Sequence, residues 1–174
     1  MAERPGRGLL AALHQRAGET LIRVKHTFGP RLTLGVRLVA LDDAGRVFLV
    51  RHSYLPGLHL PGGAVDPGES CREAAVREAA EEGGLVIAGP PALFHVYMNP
   101  IGGRHDHIVL YVARGVRQDR APRPSLEIIA SGFHPADPLP PDTTPATRAR
   151  LAEVLEGVTP TESWQAASRR RAPA

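Results

Sequence analysis

From Pro61 to Leu85 the chain reads PGGAVDPGESCREAAVREAAEEGGL: a glycine-rich loop, a helix and a glycine stop in one continuous stretch. Ser70 followed three residues later by Glu73 predicts a capping box, in which each side chain satisfies a free backbone amide at the helix start. Gly83-Gly84 predicts a left-handed exit. The helix is therefore expected over roughly Cys71 to Glu82. Within it Glu78, Glu81 and Glu82 stand at i, i+3 and i+4, so three carboxylates share one face of the last turn.

That turn is an unfavourable place for acids. Its unpaired carbonyls carry a partial negative charge that favours Lys or Arg, and a misplaced exposed charge costs about 0.3 to 1 kcal/mol. Each like-charged i,i+4 pair adds roughly 0.2 to 0.5 kcal/mol. A divalent cation would turn this repulsion into ligation. Hard oxygen donors around an incompletely enclosed ion suit Mg2+, with water and substrate phosphates completing its octahedron. For the helix alone the plainer account stays open, a solvated helix built from common helix formers.

The spacing of the whole stretch adds a second argument. From Gly63 the order is Gly, five residues, Glu69, seven residues, Arg77-Glu78, two residues, Glu81-Glu82, one residue, Gly84-Leu85. This resembles the signature of the Nudix hydrolase family, with every fixed position filled and only Ala79 standing where a larger aliphatic is more usual. The resemblance implies an α/β fold, an α/β/α sandwich around a mixed β-sheet. It implies that Glu78, Glu81 and Glu82 hold the metal, with the Gly62 carbonyl as a further ligand and Mg2+, or Mn2+ in its place, as the ion. Arg77 would pair with Glu69 and hold the helix to its loop, with Gly63 supporting the close approach. Glu78, Arg77 and Glu127 form the implied catalytic set. Either Glu78 or Glu127 takes the proton of the attacking water, and the sequence leaves that choice open.

A chain of 174 residues with 43% hydrophobic content is long enough for one well-buried domain. The expected division is an N-terminal extension over 1–18, a hydrolase domain over 19–157 and a basic, disordered tail over 158–174. The single cysteine, Cys71, permits no internal disulfide and no cysteine-based zinc site, which fits a reducing cytoplasm. The net charge of +3 sits at the ends, where Arg4, Arg7 and Arg16 and then Arg169, Arg170 and Arg171 outnumber the acids. The high pI therefore argues only weakly for nucleic acid, which is not the expected partner. No apolar run approaches the roughly 18 residues of a membrane span. The expected partner is a small nucleotide-type substrate, and a homodimer stays open.

In chain order, residues 7–17 read as a short amphipathic helix and Thr20 to His26 as an edge strand. Leu32 to Leu41 is a strand, with a turn at Asp42 to Gly45 and Val47 to Val50 returning as its hairpin partner. Leu85 to Ala88 and Ala92 to Met98 are further strands. Asn99 to Arg104 has the chemistry of a loop, Ile108 to Ala113 of a strand, and Arg117 to Ser125 of a mobile connection. Glu127 to Phe133 is the last strand. Thr144 and Pro145 then open a helix over Ala146 to Glu156, stopped by Gly157.

Arg51 and Arg104 are candidates to bind substrate phosphates, since a planar fork of donors suits them. Tyr97 to Gly102 is similar in outline to the Pro-Gly loop of the ADP-ribose-cleaving Nudix branch. An ADP-ribose-like substrate is therefore placed first and a nucleoside triphosphate next. The alternative of another class is a non-catalytic nucleotide sensor or RNA-associated binder that uses the basic ends.

Overall fold

The computed structural model describes residues 32–101, 104–120 and 126–165. The strands β1 (Leu32–Ala40), β5 (Arg104–Ala113) and β4 (Ala92–Ile101) form one mixed sheet in the order β1-β5-β4. β1 lies parallel to β5 from Leu32↔His105 to Ala40↔Ala113, and β4 lies antiparallel to β5. β2 (Val47–His52) pairs antiparallel with β7 (Ile128–His134), and the short β3 (Leu85–Val86) pairs with β6 (Arg117–Gln118).

Period-two alternation sends the side chains of β1 and β2 to opposite faces, and both faces are covered. Val36, Leu38, Ala40, Phe48 and Val50 pack with Val109 and Tyr111 against Ala74, Ala75 and Ala79 of α1 (Cys71–Gly83). Val39, Leu41, Val47 and Leu49 pack on the other side with Leu110, Tyr97 and Leu151 of α2 (Pro145–Leu155). The α/β/α order follows from these two apolar layers. α1 has both halves of the expected capping box, Ser70 with Glu73, and ends on Gly84 at φ 61°. Its small alanines bring the helix axis close to the strands, which a row of leucines would prevent.

The expected β1–β2 hairpin does not form beyond a single bridge at Leu41↔Val47. The glycine loop runs between the two strands and takes their facing edges. Leu38 N donates to Pro61 O at 3.0 Å, Val36 N donates to Gly63 O at 2.9 Å, and Val50 and His59 exchange two bonds of 2.9 Å. A strand has two hydrogen-bonding edges, and those of β1 are filled by β5 and by this loop. Gly62 is required there: it has φ 141°, and a Cβ would lie 2.9 Å from the Val36 carbonyl carbon.

Other expectations are corrected. The segment 99–104 is not a long loop, because β4 continues through Asn99 and Pro100 to Ile101 and β5 begins at Arg104. The expected tail does not leave the domain at 157. Trp164 is buried, its N donates to Met98 O at 2.9 Å, and Met98 N donates to Glu162 O at 2.8 Å. Buried Arg150 donates to Ser163 O at 2.8 Å, and its guanidinium lies 4.2 Å over the Tyr97 ring and 5.6 Å over Trp164. The expected helix over 7–17 and strand over 20–26 lie outside the described residues, as does the basic segment 166–174. No helix among the described residues is long and apolar enough to cross a membrane.

Candidate active site

The glycine loop and the last turn of α1 meet through Arg77 and Glu82. Arg77 presents a fork to Glu69, with Nε to Oε1 at 2.9 Å and Nη2 to Oε2 at 3.0 Å. The same guanidinium donates to Ala64 O at 3.1 Å and to Glu78 Oε1 at 2.8 Å. Loop and helix are thereby clamped on one planar cation. These hydrogen bonds hold the Glu69 carboxyl below its ordinary range and hold Arg77 firmly charged. Gly63 supports the approach, since a Cβ there would lie 2.7 Å from Glu78 Cδ.

Glu82 is 9% exposed, and its Oε2 accepts the Gly62 N–H at 2.8 Å. Burial pushes its pKa up to about 7, with the charges of Glu78 and Glu127 acting in the same direction against Gly62 N–H and Arg37. Burial likewise raises Glu78, against the pull of Arg77. Two carboxylates are thus kept from water beside a third, Glu127, whose charge is felt at Glu82.

The three box acids do not converge. Glu81 is 61% exposed at its side chain and turns to Arg77 Nη1 at 3.4 Å. Among the described residues no three of His, Cys, Asp and Glu are grouped to hold an ion. The Gly62 carbonyl, expected as a metal ligand, accepts a hydrogen bond from Arg37 Nη1. The donor types still suit a hard divalent cation: two mutually repelling carboxylates drawn out of water, and a backbone carbonyl that Arg37 would have to release to the ion.

Residues 31–155 match the NUDIX domain. The chain belongs to the Nudix hydrolase family. That family acts on pyrophosphate bonds and typically uses a divalent metal. Over 68 residues, 39% of this chain and 45% of its relative, the sequence is 44% identical to a Bacillus subtilis (strain 168) protein provisionally named an 8-oxo-dGTP diphosphatase. Over 54 residues, 30% of this chain and 34% of the relative, it is 43% identical to an RNA pyrophosphohydrolase of Dinoroseobacter shibae. The matched stretch spans less than half the length of either curated relative. The crystal structure of a MutT NUDIX hydrolase from Burkholderia pseudomallei aligns with a TM-score of 0.61 at 29% identity, covering 71% of this chain and 98% of that one.

In this Nudix protein the two arginines expected at the substrate fare differently. Arg51 is ion-paired with Asp142, which draws that carboxyl below its ordinary range and ties β2 to the approach to α2. Arg104 opens β5 opposite Ile101, and its side chain lies outside the described residues. The arginine that faces the carboxylates is Arg37, which the sequence reading did not single out. Its signal was a charged residue in the strand LTLGVRLVA, between two buried aliphatics. A histidine pair borders it. His52 is buried, with ring centroids 5.4 Å from His59 and 5.3 Å from Tyr54. Burial and then the Arg37 charge push His52 down to about 4, and burial lowers His59 as well.

Proposed function

We propose that this Nudix protein hydrolyses a diphosphate linkage of a nucleotide-type substrate, with Mg2+ or in its place Mn2+. The observation that carries this reading is the Glu78–Glu82 pair, held out of water by the fold with repulsion that a cation would relieve. Glu78, Glu82 and the Gly62 carbonyl would hold the ion, and Glu81, on the same turn, is the further donor. The bound cation supplies charge neutralisation on the diphosphate and makes phosphorus electrophilic.

The chain's own residues do the rest. Gly62 N–H fixes the direction of Glu82, and Arg77 fixes Glu78 against the loop. Water is the nucleophile: its oxygen bonds to phosphorus, the anhydride P–O bond breaks, and its proton passes to a carboxylate. Glu78 and Glu127 are the two candidates for that task, and whichever of them ligates the ion leaves the proton to the other.

Among substrates we place nucleoside triphosphates ahead of ADP-ribose-like compounds. Of the outline that favoured ADP-ribose, Tyr97 to Ile101 lies in β4 with Pro100 paired to His105. The B. subtilis relative is named for a nucleoside triphosphate, and the D. shibae relative for a pyrophosphate bond of RNA. Wild type and Glu82→Gln are to be compared on 8-oxo-dGTP, the ordinary nucleoside triphosphates, ADP-ribose and dinucleoside polyphosphates. Loss of several kcal/mol of metal-dependent stabilisation is a fall on the order of 10²-fold or more. Equal Mg2+-dependent turnover by both proteins would refute the assignment.

A further inference from the structure

Arg51 and Arg77, both half-buried, and fully buried Arg150 each have a carboxylate partner. Arg37 differs. Its Nη1 donates to two backbone carbonyls, Gly62 O and Leu60 O, the latter at 3.4 Å. Among the described residues it has no carboxylate within ion-pair distance, although its charge acts on Glu78 and Glu82 beside it. A half-buried guanidinium that is hydrogen-bonded but not neutralised is a site for an anion. Beside it, burial and then the Arg37 charge push His52 down to about 4, and burial lowers His59.

The carbonyl it occupies is also the one that a cation at Glu78 and Glu82 would share. From this coincidence we propose that Arg37 is the phosphate-binding residue of the site, and that it exchanges the Gly62 carbonyl for a diphosphate oxygen of the substrate when the metal binds. The inference rests on the metal-dependent hydrolase reading. It makes Arg37 a competitor of the metal before substrate arrives and a partner of the substrate afterwards, so that metal and nucleotide binding are coupled through one side chain.

The test measures binding without turnover. Mn2+ affinity of the nucleotide-free protein and affinity for a non-hydrolysable nucleoside triphosphate analogue in the presence of Mn2+ are measured for wild type, Arg37→Met and Arg37→Lys. In Arg37→Met, Mn2+ binding is expected to hold or tighten several-fold, while analogue binding weakens by about 10- to 100-fold, the range of a lost charge-assisted hydrogen bond. Arg37→Lys keeps the charge without the fork and should recover part of the analogue affinity. Loss of Mn2+ and analogue binding together in both variants would make Arg37 a brace of the loop and overturn the proposal, as would unchanged analogue affinity in Arg37→Met. A wild-type protein that binds no Mn2+ would instead remove the hydrolase reading on which this one stands.

Discussion

Glu82 is a carboxylate kept out of water with a single amide donor for company, and its proton affinity makes the cost of that position measurable. Its ordinary value is 4.5 and its folded value about 7. Between those limits the folded protein holds a proton that the unfolded chain has released. Metal-free stability should therefore be greatest below about pH 4.5 from this group and fall as pH rises to about 7, by on the order of 3 kcal/mol, then level off. Glu82→Gln keeps an acceptor for Gly62 N–H without the charge. In EDTA at pH 8 it should resist denaturant better than wild type, whereas added Mg2+ should stabilise wild type and leave the variant nearly unchanged. Denaturant titrations at pH 5 and pH 8, with and without Mg2+, check this. The identity of the acids was legible because their spacing is local to one helix turn. That Arg37 and not Arg51 faces them was not, because the choice depends on Asp142, far along the chain, claiming Arg51.

The loop and α1 act as one element, and two adjacent glycines separate its geometry from its stability. Gly63 has backbone angles open to alanine, but a Cβ would press on the Glu78 carboxylate, a flexible group that can give way. Gly63→Ala should leave the unfolding free energy within about 1 kcal/mol of wild type and lower kcat/KM roughly 10²-fold by moving a carboxylate about 1 Å. At Gly62 the obstacle is β1 backbone and φ is 141°, so Gly62→Ala should lose folding stability as well as activity. Steady-state kinetics beside thermal melts distinguishes the two. Equal loss of stability at both positions would mean that the loop does not divide its work in this way. Both helices were legible, because Ser70, Glu73, Thr144 and Pro145 are signals read within one turn. The strands were legible as strands but not as partners. Val47 to Val50 has everything a hairpin needs, and it loses β1 to a loop whose edge-pairing comes from residues 59 to 65.

At the scale of the molecule the central strands are buried under two helical layers, and the second layer is completed by a segment with no apolar periodicity of its own. Trp164 fills the space among Tyr97, Leu151 and Arg150, with its ring 5.5 Å from that of Tyr97 at 76°. It also covers an ion pair. Arg150 Nη2 donates to Glu153 Oε1 at 2.7 Å, and the Tyr97 hydroxyl donates to Glu153 Oε2 at 2.6 Å. A lone aromatic in a polar stretch gives no pattern to read, so this closure was visible only once Met98 of β4 was seen to pair with Ser163. Truncating the ring removes apolar burial and leaves a cavity beside a charged pair that depends on dry surroundings. Trp164→Ala should therefore lower the unfolding free energy by about 3 to 5 kcal/mol. That is a large share of the 5 to 15 kcal/mol typical of a domain. Trp164→Phe, which keeps a ring in the same space, should lose much less. Urea titrations with matched slopes would measure both, and a loss under about 1 kcal/mol for the alanine variant would show that residues 161–165 only rest on the domain. Removing residues 158–165 altogether should do more than either substitution, because it also frees the backbone edge of β4 at Met98 and invites the chain to pair with copies of itself.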